Sequence, residues 1–208
     1  MTSPPFNLSA DQPLPVDFFA RDTLSVAREL LGCRLRARLP GHPAPLDCRI
    51  VETEAYTQDD PACHAFRKQT GRAATLFKEP GLAYVYLIYG MYYCLNVVTE
   101  PAGRAGAVLF RALQPLNDDA GALRTHGPGR LTRALGITRE RHNEIDLTHP
   151  DSELTLWAAD APLPTGQPIV ATGRIGISQG VDLPWRFYLA GNPWVSVPAE
   201  KTPKKWRK

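Results

Sequence analysis

The stretch RIVETEAY, residues 49–56, carries two carboxylates and a tyrosine at every second position. Because side chains alternate between the two faces of a β-strand, Glu52, Glu54 and Tyr56 are predicted to share one face. Two carboxylates beside an aromatic ring can form the floor of a site for acid–base chemistry. The same pattern also fits an ordinary half-exposed strand whose charges lie in water, and the strand alone does not decide between these interpretations.

Aromatic residues cluster in YVYLIYGMYY, residues 84–93, which holds five of the seven tyrosines. The turn Gly90-Met91 predicts a tight hairpin. Alternation then places Tyr84 and Tyr86 on one face and Tyr89 at or near the tip. A large ring at an exposed tip is not a core residue, and a ring that stacks on a nucleobase contributes roughly 1–3 kcal/mol. The hairpin therefore favours nucleic acid as a partner, although tyrosine is also common in ordinary strands.

Other motifs for ligand chemistry are weak. His64 lies in the polar loop that follows the acidic strand, and no second His or Cys stands at metal-ligand spacing, so no metal site is predicted. The glycine-rich pieces PAGRAG and HGPGR match neither a phosphate-binding loop of the Walker type nor a dinucleotide fingerprint. The cysteines are far apart and are predicted to be free thiols: Cys33, Cys48, Cys63 and Cys94.

The elements that position these residues are predicted to be short, because 20 prolines in 208 residues favour short strands and ordered loops over a helical bundle. The predicted fold class is α+β, a single domain with a central antiparallel β-sheet, flanking helices and a protruding β-hairpin. Asp22 is expected to cap the first helix and Gly32 to end it. Helices are predicted over residues 23–31 and 73–78 and from GPGR to Gly136, and strands over residues 33–39, 47–56, 83–89, 92–99, 107–113, 153–157, 173–176 and 185–190.

Charge and hydropathy limit the class of partner. Residues 61–149 carry 11 Lys and Arg against 7 Asp and Glu, next to the tyrosine-rich hairpin, which suits either a polyanion such as nucleic acid or a merely solvated face. The longest apolar run, residues 85–98, is interrupted by Gly90 and Asn96 and is too polar to cross a membrane. The N-terminal residues do not match a secretory signal, so a reduced, cytoplasmic location is predicted.

The chain is expected to divide into a disordered N-terminal arm, residues 1–13, one folded domain, residues 14–197, and a basic C-terminal tail, residues 198–208.

Several segments, taken in order, resemble the alkyladenine (3-methyladenine) DNA glycosylase family. They are VETEAY, a loop His, YVYLIYGMYYCLNVV, VLFRALQP, GPGRLTRALGI, TGRIGI and RFYLAGNPWVSV. The resemblance runs over residues 15–197, and its pattern YxYxIYGMYxCxN is long and specific. It implies a DNA repair glycosylase that flips alkylated or deaminated purines out of the duplex and hydrolyses the N-glycosidic bond, leaving an abasic site.

The resemblance also implies the partners of the protein. It predicts that the enzyme needs no cofactor and no metal. The partner is double-stranded DNA that contains damaged purines, bound by a monomer that does not associate with membranes. The expected cytoplasmic location includes the nucleoid if the source is bacterial.

Roles for individual residues follow from the same resemblance. Glu54, the second Glu of VETEAY, is expected to be the general base that deprotonates the attacking water, and Arg111 to orient the water or Glu54 and tune the ionisation of that carboxylate. Tyr89 is expected to intercalate in the minor groove with Met91 packed beside it, and Asn96 to clash with the 2-amino group of guanine. The implied base-pocket residues are Tyr56, His64, Tyr84, Tyr86 and Asn96.

Some alternatives stay open. Phe66 and Arg67 follow the loop His where the family usually has small residues, which leaves the pocket shape and the lesion preference undecided. An O-glycoside hydrolase with Glu52 and Glu54 as its acid–base pair is a rival, because residues two apart on a strand lie roughly 6–7 Å apart, near the spacing of inverting enzymes. A nucleic-acid-binding module without catalysis is a second rival. The family resemblance gives Glu52 no catalytic role and leaves it structural.

Overall fold

One long strand at the centre of the molecule carries the two carboxylates. The computed structural model describes residues 6, 8–39, 43–117, 123–160, 163 and 168–199. The helices are α1 (Val16–Phe19), α2 (Thr23–Glu29), a 3₁₀-helix (Gly71–Phe77), α3 (Pro128–Ala134) and α4 (Arg139–His142). The strands are β1 (Arg34–Ala37), β2 (Leu46–Thr57), β3 (Ala83–Ile88), β4 (Tyr92–Val98), β5 (Gly106–Pro115), β6 (Leu154–Trp157), β7 (Ile169–Thr172) and β8 (Arg186–Leu189).

The strands form one antiparallel sheet in the order β3-β4-β5-β2-β1-β6, and β8 pairs with both β2 and β7. Along one edge, β2 changes partner, because β1 pairs with residues 46–49 and β8 with residues 52–54. The other edge of β2 pairs with β5. The end of β2 that carries the acidic residues is therefore held on both sides, and the predicted α+β class with an antiparallel sheet is confirmed.

Helices α1 and α2 pack against the sheet in the main buried cluster. Phe18, Phe19 and Val26 lie in the same buried cluster as the sheet residues Val85 and Phe110. Burial of side chains of this size contributes roughly 1.5–3 kcal/mol each, before conformational entropy is counted. Among the described residues, none of the helices has the length and apolar character that a membrane span needs.

The predicted N-cap of the first long helix is confirmed, and the helix itself ends at Glu29, two residues before its predicted end. The Asp22 carboxylate accepts a 2.9 Å hydrogen bond from the Ser25 amide and so satisfies one of the unpaired donors of the first turn. Gly32 follows the helix with φ +92°, a conformation that a residue with a Cβ rarely adopts.

Three local expectations differ from the structure. The strand expected over residues 173–176 is wrong, because Gly176 has φ +80° and the amide of Ile175 bonds to a side chain instead of a neighbouring strand. The strand lies just before it, as β7. The hairpin turn is shifted by one residue, since Tyr89 and Gly90 have positive φ and the Met91 amide donates to the Ile88 carbonyl. Helices α1 and α4 were not expected, because single turns are too short to show a helical period.

The chain ends are only partly described. Residues 1–5 and 7 of the expected arm and residues 200–208 of the expected tail lie outside the described residues. Within residues 8–13, Leu8 packs against the core and Pro13 forms a β-bridge with Trp157. Contacts to the folded domain therefore begin before residue 14.

All four cysteines are free and buried, in agreement with the prediction of unpaired thiols. Burial raises the pKa of Cys63 and of Cys94 to about 11. Since the thiolate is the reactive form, these side chains are poor nucleophiles at neutral pH.

Candidate active site

The carboxylate of Glu54 is fully buried, and each of its oxygens accepts a directed contact. Oε1 accepts a 2.8 Å hydrogen bond from the Ile175 amide and lies 3.2 Å from Nη1 of Arg111. Oε2 accepts a 2.7 Å hydrogen bond from the Tyr56 hydroxyl. A carboxylate oxygen has two lone pairs, so Oε2 can accept one further hydrogen bond from a water.

The Tyr56 hydroxyl keeps its proton and so remains a hydrogen-bond donor to the Glu54 carboxylate. Burial, followed by the negative charge of Glu54, raises the pKa of Tyr56 well above its ordinary value. The phenol therefore stays protonated at neutral pH. Tyr56 and Glu54 share one face of β2, as strand alternation predicts.

Arg111 reaches the carboxylates from β5, through an irregularity in strand pairing. The β2–β5 register shifts on either side of Glu52, so that Phe110 pairs with Thr53 and Ala112 with Glu52, and Arg111 has no partner in the register. A local irregularity of this kind re-aims the side chain of the extra residue. Burial disfavours the charged guanidinium of Arg111, but Glu54 and Glu52 outweigh it and raise its pKa, so Arg111 stays cationic.

Glu52 is enclosed by fixed partners. Its Oε1 lies 2.6 Å from Nη1 of Arg186 and 3.4 Å from Nε of Arg111, and its Oε2 accepts a 2.7 Å hydrogen bond from the Ser196 amide. Glu52 and Glu54 are both 0% exposed, so the interpretation of a half-exposed strand with its charges in water is wrong. Glu52 links the carboxylate floor to β8 and to the residues that follow it.

A wall of three rings stands beside this floor. The Nδ1 atom of His64 lies 2.8 Å from the Tyr84 hydroxyl oxygen. The His64 ring meets the Tyr86 ring edge to face, with centroids 4.6 Å apart, and the Tyr84 and Tyr86 centroids are 5.3 Å apart. Burial, and then the nearby charge of Arg72, lowers the pKa of His64 to about 4, so the imidazole is neutral at neutral pH.

These residues surround a cavity of about 790 Å³, a size typical of small-molecule sites. Seven of the nine residues expected in the site line it: Tyr56, His64, Tyr84, Tyr86, Tyr89, Asn96 and Arg111. Glu54 lies behind Tyr56 and Arg111, to which it is bonded. Met91 is not among the lining residues and is 67% exposed near the hairpin tip.

Asn96 is held in a fixed orientation at the cavity. Its Nδ2 donates a 2.9 Å hydrogen bond to the Tyr84 carbonyl, and the residue is only 3% exposed. On β4 it pairs directly with Tyr84. A side chain fixed in this way can exclude a substituent that would occupy the same space.

The hairpin tip presents apolar surface to solvent. Tyr89 is 78% exposed and has φ +53°, the left-handed region that costs a non-glycine residue roughly 1–3 kcal/mol. Leu87, which also lines the cavity, is 44% exposed. The exposed tip agrees with the prediction for Tyr89, although its insertion into DNA stays a prediction.

The unusual loop residues Phe66 and Arg67 are not among the described residues that line the cavity. Arg67 has φ +56°, and its guanidinium lies 4.9 Å from the centre of the Phe66 ring. The two side chains therefore pack on each other outside the cavity, next to the pocket wall.

Sequence reasoning did not identify three participants in the site. The Ile175 amide has no side-chain signature, and the pair of Asp60 and Arg174 joins residues 114 positions apart. The segment TGRIGI contains two of these residues, but nothing in their types shows what they contact. Within the part of the chain that the structure describes, no group of three or more His, Cys, Asp or Glu side chains is arranged to hold a metal ion.

Comparison with known proteins identifies the family. Residues 17–193 match the family described as methylpurine-DNA glycosylase (MPG). A protein of Salinibacter ruber with the provisional name 3-methyladenine DNA glycosylase is 46% identical over 209 residues, which cover 89% of this chain and 97% of its own. Proteins of the same provisional name from Carboxydothermus hydrogenoformans and Synechococcus elongatus are 47% and 50% identical, over 88% and 80% of this chain and 98% and 82% of theirs. Because the match spans most of the chain at this identity, the chain belongs to the methylpurine-DNA glycosylase family.

Proposed function

We propose that the protein is a monofunctional DNA repair glycosylase that hydrolyses the N-glycosidic bond of alkylated or deaminated purines in double-stranded DNA and leaves an abasic site. One observation carries the proposal. A buried carboxylate, Glu54, is bonded to two residues that line an aromatic-walled cavity, Tyr56 and Arg111. Family membership supports the same reaction class.

In the proposed reaction, Glu54 is the general base. A water bound to Oε2 attacks C1′ of the deoxyribose, its proton passes to the carboxylate, and the purine leaves with the bonding electron pair. The negative charge of Glu54 also stabilises the positive charge that develops on the sugar. Because Glu54 is 0% exposed, a small displacement of the lining residues must admit the water.

The contacts of Arg111 and Ile175 define which oxygen reacts. Both donors contact Oε1, at 3.2 and 2.8 Å, so Oε1 is occupied and Oε2 is the oxygen left for the water. Pre-organised donors of this kind keep the carboxylate in one orientation at no cost during the reaction. Arg111 is thus proposed to orient Glu54.

The aromatic wall is proposed to bind the flipped purine. A purine in the cavity can stack on Tyr56 and Tyr86, and a cationic alkylated base over a ring face gains roughly 0.5–2 kcal/mol. Tyr84 supports His64, which faces the base from the wall. Asn96 excludes the 2-amino group of undamaged guanine by steric and polar conflict.

Base flipping is proposed to depend on the hairpin. Extruding a nucleotide costs a few kcal/mol, and less when the base is damaged. Tyr89 at the exposed tip can fill the gap left in the duplex, with Met91 beside it, as apolar wedges do in other minor-groove proteins. We propose that the protein acts on DNA as a monomer in the cytoplasm and needs no cofactor.

The test is single-turnover release of the base from four duplexes that carry 3-methyladenine, 7-methylguanine, hypoxanthine or ethenoadenine. Wild type and Glu54→Gln are compared side by side at saturating enzyme. Release by wild type and a loss of about 10²–10⁴-fold in the variant would support hydrolysis with Glu54 as base. Tight binding of damaged DNA without release by wild type would contradict the proposal and place the protein among damage-binding modules.

A further inference from the structure

Behind the pocket lies an ion pair that the proposed reaction does not use. Arg174 and Asp60 contact each other through two bonds, one of them 2.9 Å long from Nη2 to Oδ1, and both side chains are 0% exposed. Burial disfavours the charged guanidinium of Arg174, but its hydrogen bonds to Asp60 and the negative charges of Asp60 and Glu54 together outweigh burial and raise its pKa. A buried ion pair is often no more stabilising than apolar residues of the same volume, so its presence calls for a role in positioning.

The backbone hydrogen bonds of Arg174 reach two segments that build the pocket. Its Nη1 donates a 2.9 Å hydrogen bond to the Ala55 carbonyl, which lies between Glu54 and Tyr56 on β2. Its Nη2 donates a 3.3 Å hydrogen bond to the carbonyl of Gly180, which directly follows residues 175–179 of the cavity lining. The guanidinium carbon also lies 4.6 Å from the centre of the Tyr56 ring.

Asp60 extends this connection to the histidine loop. Its Oδ1 accepts a 3.0 Å hydrogen bond from the Ala62 amide, and its carbonyl accepts one from the Cys63 amide. His64 is the next residue along the chain. The carboxylate of Asp60 therefore holds the start of the aromatic wall and the guanidinium of Arg174 at once.

Gly180 shows how closely this connection is packed. It has φ +60°, and a Cβ built there would lie 2.8 Å from Nη2 of Arg174 and 2.9 Å from Oδ1 of Asp60. Only a residue without a side chain fits against the ion pair in this conformation. The loop is thus shaped to close on the guanidinium.

We propose that Arg174 is a positioning residue for base release: held by Asp60, it fixes Tyr56 against Glu54 and fixes the loop that presents the Ile175 amide to Glu54. The inference rests on the proposed function, since it concerns the same carboxylate. Ile175 directly follows Arg174, so a shift of the guanidinium moves the 2.8 Å contact between the Ile175 amide and Oε1 of Glu54. Arg174 itself touches neither the base nor the water.

The test is Arg174→Lys, which keeps a positive charge beside Asp60 but loses the planar fork that bridges Asp60, Ala55 and Gly180. At saturating enzyme, the single-turnover rate of hypoxanthine release is expected to fall roughly 10- to 100-fold, the scale of a misplaced catalytic group. The dissociation constant for a duplex that carries a stable abasic-site analogue is expected to change less than about threefold, because the hairpin is untouched.

Arg34→Lys is the matched control. Arg34 is also buried and ion-paired, 2.9 Å from Asp160, but it lies on β1 and is not among the residues that line the cavity. Its variant is expected to lose thermal stability and to keep a saturated rate within about twofold of wild type. A merely structural role for Arg174 would give the same pattern in both variants and would overturn the inference.

A double-mutant cycle with Tyr56→Phe separates positioning from additive damage. Because Arg174 is proposed to act through Tyr56, the loss of the hydroxyl is expected to cost less in the Arg174→Lys background than in wild type. Additive losses would overturn the inference.

If Arg174→Lys does not fold, Asp60→Asn takes its place, and a wild-type saturated rate in that variant would overturn the inference equally. Absence of base release by wild type would instead contradict the proposed function itself.

Discussion

Glu52→Gln is the substitution that best separates the proposed reaction from glycoside hydrolysis by a carboxylate pair. The carboxylate of Glu52 compensates two buried guanidinium groups, those of Arg186 and Arg111, and accepts the Ser196 amide. A glutamine of the same size has no charge, and its amide nitrogen would face either the Ser196 N–H or Arg186. Breaking a buried ion pair in this way costs about 3–5 kcal/mol.

That cost converts into a measurable melting shift. For a domain of this size, each kcal/mol lowers Tm by about 2–4 °C, so Glu52→Gln is expected to melt roughly 6–20 °C below wild type. Base release is then measured at saturating enzyme, at least 10 °C below the melting point of the variant. The partners of Glu54 all line the cavity, whereas Glu52, apart from its contact with Arg111, is held by Arg186 and Ser196, which do not. The rate of base release by Glu52→Gln is therefore expected to fall less than about tenfold, against about 10²–10⁴-fold for Glu54→Gln.

The opposite result would refute this reasoning. If Glu52→Gln melted like wild type and lost base release as completely as Glu54→Gln, Glu52 would be a reacting group. The acid–base pair of a glycoside hydrolase would then be the better interpretation, and O-glycoside substrates should be tried.

Three further predictions concern the pocket and the hairpin. Tyr89→Ala is expected to lower the equilibrium constant for base flipping about tenfold or more, since stacking contributes about 1–3 kcal/mol, and to leave Tm unchanged. The fluorescence of a flipped ethenoadenine measures this constant. An unchanged fluorescence signal would contradict the role of Tyr89 as a wedge. Asn96→Ser is expected to raise release of undamaged guanine about tenfold, the scale of one lost steric contact; no change would remove Asn96 from the specificity argument. His64→Gln is expected to flatten the pH dependence of Tm. The pKa of His64 in the folded protein, about 4, lies below its ordinary value of 6.5. Between these two pH values the unfolded chain binds more protons than the folded one, so wild type loses stability as pH falls through this range. Equal slopes of Tm against pH for wild type and His64→Gln would contradict this prediction.

The sequence predicted the parts of the site that depend on local geometry. Strand alternation is a property of neighbouring residues, so it placed Tyr56 beside Glu54, and a glycine between aromatic strands located the hairpin to within one residue. The observed turn is centred on Tyr89-Gly90 instead of Gly90-Met91, because Tyr89 adopts a left-handed conformation that its residue type does not predict.

The parts that the sequence did not predict depend on long-range pairing. Asp60 and Arg174 are far apart in the chain and look like ordinary surface charges until the fold joins them. The segment around Ile175, residues 173–176, was expected to be a strand. Its amide bonds to Glu54 instead, which only the three-dimensional arrangement shows.

The two-sided pairing of β2 has a consequence for how such enzymes diverge. Thr53 and Glu54 pair with β5 on one edge and β8 on the other, so their amides are expected to exchange hydrogen with solvent only when the sheet opens. The hairpin tip and the loop after His64 are not bound in this way, and loops tolerate change better than paired strands. If Glu54 is the general base as proposed, changes in these two segments are expected to alter the lesion preference of such an enzyme while the carboxylate that hydrolyses the bond stays fixed in the sheet.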